Sequence, residues 1–227
     1  MYFLLFIIAI IFAVSAQGKV QSTFREASQI RSRRGYTGAQ VAQQILMSAG
    51  IHDVRIERIG GNLTDHYDPK SRTLRLSQNV YDSDSLAALG VAAHETGHAI
   101  QDDTGYAWLQ LRSAMVPVTN IASNLAMPLI ILGALFGGAS RGNYFMINLG
   151  LILFFLSVLF TFVTLPVEFD ASKRAIAILE GNSYVSPDEV GEVKKVLDAA
   201  AMTYVAAAAV ALLNFLRMAA LFGRRRN

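Results

Sequence analysis

The sequence contains one short pattern of residues that can bind a metal ion and activate water. His94 and His98 lie four positions apart, and Glu95 directly follows the first histidine. On a helix, residues four apart stand on the same face, so both imidazoles can reach one ion. In zinc peptidases this spacing supplies two metal ligands, and the adjacent glutamate can take a proton from water at the open position. The pattern therefore predicts Zn²⁺ as the cofactor and Glu95 as the general base.

A pattern this short also occurs by chance, and the alternative is a helix whose polar residues bind no metal. The flanking residues favour the metal site. They are small or apolar on both sides, from Gly90 to Ala93 and at Ala99 and Ile100. Histidine and glutamate side chains buried in such surroundings would be costly without a partner, and a metal ion is the simplest one.

A catalytic zinc ion needs a third protein ligand and an open position for water. The chain has no cysteine, and His98 is its last histidine, so the ligand is a carboxylate or the earlier His66. Glu168 is the best candidate, because two apolar segments between it and His98 would cross a membrane and return it to the same side. Asp170 is a weaker candidate, since residues two apart on a helix point in different directions.

The composition is that of a membrane protein. Apolar residues make up 53% of the chain, charged residues make up 16%, and the mean hydropathy is +0.37. These values are too apolar for an ordinary soluble domain. The formal net charge is only +3, and the basic residues cluster beside apolar segments. That arrangement indicates membrane topology and predicts no nucleic-acid partner.

The two ends of the chain each allow two interpretations. Residues 1–16 are almost wholly apolar and could be a cleaved signal peptide, but they lack the positively charged n-region with which signal peptides begin. The charges follow, from Lys19 onward, which favours an uncleaved anchor with its N-terminus outside and the next segment in the cytoplasm. Residues 199–222 are apolar but interrupted by Asn214 and Arg217. They either span the membrane, which places the basic tail outside, or pack as a surface helix.

These features divide the chain into five segments: an anchor (1–16), a cytoplasmic catalytic region (17–113), a transmembrane hairpin (114–166) whose tight polar loop is 137–143, a helix and connector carrying the third ligand (167–198), and a C-terminal apolar helix with a basic tail (199–227). Within the catalytic region, residues 54–59 and 73–77 alternate between apolar and polar types, which is typical of half-exposed strands. They predict a short β-meander or hairpin. Residues 63–67 would form its edge and hold extended substrate.

Three stretches resemble one known family. They are residues 63–69, residues 85–101 with the two histidines, and residues 165–172 with Glu168. Together they resemble the YugP-type membrane zinc metallopeptidases over nearly the whole chain, and more distantly the HtpX-type and CAAX-type membrane proteases. The resemblance implies that His94, His98 and Glu168 bind zinc at a site facing the cytoplasm, and that Glu95 is the base.

One position departs from the broader gluzincin pattern. Gluzincins often have an aspartate four residues after the ligand glutamate, where it orients a metal-binding histidine. Here that residue is Ser172. Either Ser172, Asp170 or another group orients the ligand, or the ligand geometry differs.

The sequence thus predicts a mainly α membrane protein with transmembrane helices and a small α+β, zincin-like catalytic region in the cytoplasm. Its predicted activity is that of a zinc endopeptidase acting on membrane-associated proteins. The candidates for stabilising the oxyanion are Tyr67, His66 and Arg174. The alternative is a membrane scaffold or assembly factor whose zinc is structural or whose motif is vestigial. A closed site with four ligands, His66 being the fourth, would favour that alternative.

Overall fold

A computed structural model describes residues 2–136 and 141–222. Residues 137–140 of the expected polar loop lie outside the described residues, and so do residues 223–227, which form the basic tail. The described chain is mainly helical, as predicted. Its elements are α1 (Tyr2–Ser28), α2 (Gly38–Ser48), β1 (Arg55–Ile59), β2 (His66–Asp68), β3 (Thr73–Ser77), α3 (Gln78–Tyr81), α4 (Leu86–Asp103), α5 (Ala107–Leu135), α6 (Arg141–Gly181) and α7 (Val190–Phe222).

Four of the described helices are long and apolar enough to cross a membrane: Phe3–Ser28, Ala107–Leu135, Tyr144–Gly181 and Val190–Phe222. The last of these contains residues 199–222, so that segment is part of one continuous helix. All four are longer than the roughly 20 residues that a bilayer requires. The boundaries between the segments expected from the sequence, after residues 16, 113, 166 and 198, lie inside helices and not in loops.

The helices contribute to two compact units. The first draws on the described residues within 1–15, 110–165 and 204–227. Within it, α5 and α6 approach closely at Gly150, where an added Cβ would lie 2.8 Å from the carbonyl oxygen of Ala126. Many large apolar side chains of this unit are exposed, among them Ile121 and Phe145. Apolar surface of this kind suits contact with lipid.

The second unit comprises residues 16–109 and 166–203 and contains the sheet and α4. Here α4 is covered on two sides. Ala88 and Ala92 pack with the buried β3 residues Leu74 and Leu76, whereas Leu89 and Ala93 pack with residues of α6 and α7. This explains why most residues of α4 are buried and why its first half is small or apolar.

The expected three-stranded β-meander is wrong, although β2 and β3 do form an antiparallel hairpin. A meander pairs consecutive strands antiparallel, but the sheet order is β1-β3-β2. β1 pairs parallel to β3, and β2 pairs antiparallel to β3 with Tyr67 opposite Leu74. The alternation of apolar residues determines which side of a strand is buried, but not which strand is its neighbour. The strand with the most buried residues, β3, takes the centre, and the short β2 lies at an edge.

We expect Leu74→Ala to destabilise the unit that contains α4. Leu74 is fully buried, and truncating a buried leucine typically costs about 2–5 kcal/mol in the free energy of unfolding. Thermal unfolding of the purified protein in detergent, followed by circular dichroism, measures the effect. The control is Met47→Ala, at a helical position that is 58% exposed. Equal unfolding temperatures for the two variants would contradict the packing of β3 against α4.

Candidate active site

Helix α4 places His94 and His98 side by side. Ser85 caps the helix, because its hydroxyl accepts a hydrogen bond from the backbone N–H of Ala88 at 3.2 Å. Both imidazoles are buried, and their rings meet edge to face with centroids 4.8 Å apart. The spacing of four residues thus puts both rings on one face of the helix, as the sequence predicts.

Helix α6 brings Glu168 to the same point. The carboxylate is 2% exposed, and its Oε2 lies 3.3 Å from Nε2 of His94 and 3.6 Å from Nε2 of His98. Ligand atoms at tetrahedral zinc, about 2.0–2.2 Å from the metal, are about 3.3–3.6 Å from one another. The three side chains offer ligand atoms that all lie within 4.8 Å of one another. Two imidazoles and a carboxylate in this arrangement fit a zinc ion.

Gly97 allows α4 and α6 to approach closely enough for Glu168 to reach the two histidines. A Cβ added at Gly97 would lie 2.9 Å from the carbonyl oxygen of Ala171 on α6. Only glycine leaves room for that oxygen. Because Ala171 is one helical turn beyond Glu168, the contact also sets the distance between the carboxylate and the two imidazoles.

Each imidazole has a polar neighbour at its other nitrogen. Nδ1 of His94 lies 3.1 Å from the hydroxyl of Ser172, and Nδ1 of His98 lies 3.0 Å from Oε1 of Gln101. Burial disfavours the charged ring of His98, but the Glu168 carboxylate outweighs it, so the pKa of His98 is raised. Ser172 therefore contacts His94 from the position where the gluzincin pattern has aspartate.

Asp170 does not belong to the group of potential metal ligands in the described residues. Its Oδ2 accepts hydrogen bonds from Nε2 of Gln101 at 2.8 Å and from Nε of Arg174 at 2.5 Å. Arg174, a candidate for stabilising the oxyanion, is thus engaged by Asp170.

The side chain of Glu95 extends from α4 to the edge strand β2. Its Oε2 accepts a hydrogen bond from the backbone N–H of Tyr67 at 3.2 Å. Burial raises the pKa of the Glu95 carboxyl. The Tyr67 hydroxyl donates to Asp102 at 2.8 Å, and burial together with that carboxylate raises the pKa of the phenol. Strand β2 is therefore attached to α4 at two points, one of them Glu95 itself.

His66 does not join the group of potential ligands in the described part of the chain. Its side chain is exposed, and its Nδ1 lies 2.8 Å from the carbonyl oxygen of Thr64. Gly97 and Gln101 are two site residues that the sequence did not predict. Gln101 stands three positions after His98, which places the two side chains on one face of a helix, so that spacing could have indicated a contact.

Comparison with known proteins gives the family. The family described as "Putative neutral zinc metallopeptidase" matches residues 2–223. The chain belongs to this family. It is also 46% identical over 214 residues to a Bacillus subtilis (strain 168) protein named "Putative membrane protease YugP", with 93% of each chain covered. No solved structure matches the chain. Membership of this zinc metallopeptidase family agrees with the ligand set that α4 and α6 bring together.

We expect Gly97→Ala to weaken zinc binding in this family member. The new methyl group would contact the Ala171 carbonyl, and relief of that contact moves α6 and Glu168 away from the two histidines. A zinc affinity about tenfold lower is expected, comparable to the loss of a group that orients a ligand. Competition with a fluorescent zinc chelator measures the affinity.

The matched control is Gly191→Ala on α7, where a Cβ would meet nothing within 4 Å. It should bind zinc like the unaltered protein. Unchanged zinc affinity in Gly97→Ala would show that the close contact between α4 and α6 does not set the ligand geometry.

Proposed function

We propose that the chain is a membrane-embedded zinc endopeptidase in which His94, His98 and Glu168 hold the metal. The observation that carries the proposal is the meeting of these three buried side chains, from two helices, at distances that zinc requires. When bound, zinc would polarise the scissile carbonyl and lower the pKa of water.

Glu95 acts as the general base and then as the general acid. It follows His94 on α4 and its carboxylate is held by the Tyr67 N–H, so it stays beside the two histidines. A carboxylate takes up a proton from the attacking water and delivers it to the leaving amine. Burial, which raises the pKa of Glu95, favours this uptake of a proton.

The substrate is an extended segment of a membrane-associated protein. Two features support this. The β2 edge lies against Glu95, and an extended peptide can bind to a sheet edge. The catalytic segments also adjoin, in sequence, helices apolar enough to cross a membrane, so exposed tails and loops of membrane proteins are the accessible substrates.

The active site faces the cytoplasm. The basic residues after the first apolar segment support this orientation, because positive charge favours the cytoplasmic side. The two apolar segments between His98 and Glu168 then return the third ligand to the side of the first two.

We expect Glu95→Gln and Glu168→Ala to separate the two roles. Glu95→Gln should retain about one zinc per chain but hydrolyse unfolded casein about 100- to 10,000-fold more slowly, because the base is lost. Glu168→Ala should lose both zinc and hydrolysis, because a ligand is lost. Elemental analysis and release of labelled peptides measure the two quantities.

The control is Glu26→Gln, an exposed position on α1, which should change neither quantity. Full turnover in Glu95→Gln would refute the mechanism. Zinc retained in all variants without hydrolysis by the unaltered protein would favour the scaffold alternative.

The orientation gives a separate prediction, which uses the absence of cysteine from the chain. In Lys70→Cys the single thiol lies at an exposed position between β2 and β3. A membrane-impermeant maleimide should not label it in spheroplasts, but should label it after lysis, and a permeant maleimide should label it in both. Labelling of intact spheroplasts by the impermeant reagent would place the site outside.

A further inference from the structure

We propose that Gln101 is a positioning residue that keeps the His98 ring in one tautomer, with Nδ1 protonated and the lone pair of Nε2 directed toward the metal. This inference rests on the proposed zinc site. It concerns a residue outside the ligand set and the general base.

The amide of Gln101 has one possible orientation. The side chain is fully buried on α4, and its Nε2 lies 2.9 Å from the carbonyl oxygen of Val167 and 2.8 Å from Oδ2 of Asp170. A backbone carbonyl and a carboxylate only accept hydrogen bonds, so the NH₂ group must face them. The flipped amide would place its oxygen against two other oxygens and would lose both of these hydrogen bonds.

This orientation determines the tautomer of His98. With the NH₂ group directed to α6, Oε1 of Gln101 faces Nδ1 of His98 at 3.0 Å. An amide oxygen cannot donate, so Nδ1 must carry the proton and donate it. In a neutral imidazole the other nitrogen then has the lone pair. That nitrogen, Nε2, is the one 3.6 Å from the Glu168 carboxylate, where the metal would bind.

His94 is held differently. Its Nδ1 lies 3.1 Å from the Ser172 hydroxyl, which can either donate or accept. That contact is compatible with both tautomers of His94. Gln101 is thus the neighbour that imposes a protonation pattern on one of the two histidines.

The groups on α6 that contact the Gln101 amide are themselves fixed in position. Asp170 accepts from Arg174, and the guanidinium of Arg174 lies 5.8 Å from the centre of the Tyr106 ring. Val167 directly precedes Glu168 on α6. The Gln101 side chain therefore connects the helix with two candidate ligands to the backbone that presents the third, and it orders the Asp170 carboxylate in doing so.

The test uses full-length protein in detergent micelles with ¹⁵N-labelled histidine. At a pH at which the rings are neutral, the metal-free protein should show His98 with Nδ1 protonated, by the ring nitrogen shifts. In Gln101→Met, which keeps the length of the side chain but has no hydrogen-bonding amide, His98 should show a mixture of tautomers. Zinc affinity, by chelator competition, should fall about 10- to 100-fold, as for other groups that orient a metal ligand.

Two further variants make the result specific. Gln101→Glu restores an acceptor for Nδ1 and should return His98 to the Nδ1-protonated form, although it faces Asp170 unfavourably. Thr96→Val removes a different buried hydrogen bond of α4, from Thr96 to the carbonyl oxygen of Ala92, and controls for a general loss of stability. It should leave the His98 tautomer unchanged.

An unchanged His98 tautomer in Gln101→Met would overturn the inference, and so would an unchanged zinc affinity. Loss of affinity to the same extent in Thr96→Val would assign Gln101 a merely structural role, which also overturns it. If the unaltered protein bound no zinc, the proposed function would fail, whereas the tautomer measurement on metal-free protein would still decide whether Gln101 sets the ring.

Discussion

The close contact of α4 with α6 at Gly97 is the constraint on which the site depends. The Ala171 carbonyl occupies the space that a side chain at Gly97 would need. This brings the Glu168 carboxylate within 3.3 and 3.6 Å of the two imidazoles. On its other side α4 packs against β3, so the helix cannot move away from α6 without disrupting the sheet contacts. Close-packed interiors transmit such constraints, because they contain little free volume.

The buried carboxylates of Glu95 and Glu168 favour binding of a cation beside His94 and His98. Glu95 and Glu168 both lie beside the two histidines, and burial acts against the charged form of the Glu95 carboxyl. Two carboxylates held together in this way would place negative charge in a poorly solvated site. A divalent cation offsets that charge and uses the imidazole lone pairs. The polar neighbours Ser172 and Gln101 then satisfy the remaining ring nitrogens, as outer contacts of metal ligands commonly do.

The parts of the site that the sequence predicts are those determined by local geometry. The spacing of His94 and His98 is converted into one helical face by the regularity of the helix. Glu168 could be selected because few other residue types remained for a third ligand. The β-meander failed because alternation does not identify strand partners. The sequence does not show that Gly97 and Gln101 contact atoms of α6 about 70 positions later; only the spacing of Gln101 from His98 is visible in it.

The contact between Tyr67 and Glu95 links substrate binding to the base in the proposed enzyme. β2 is an edge strand, and its Tyr67 N–H is bonded to the Glu95 carboxylate, which belongs to α4. Asp65, just before β2, accepts from the backbone N–H and hydroxyl of Ser77, which fixes the strand at its start. An extended peptide beside this edge would lie next to the carboxylate that takes a proton from water and delivers it to the leaving amine. Because the hydrogen bond that holds the edge also holds the base, displacement of β2 would disturb both binding and proton transfer.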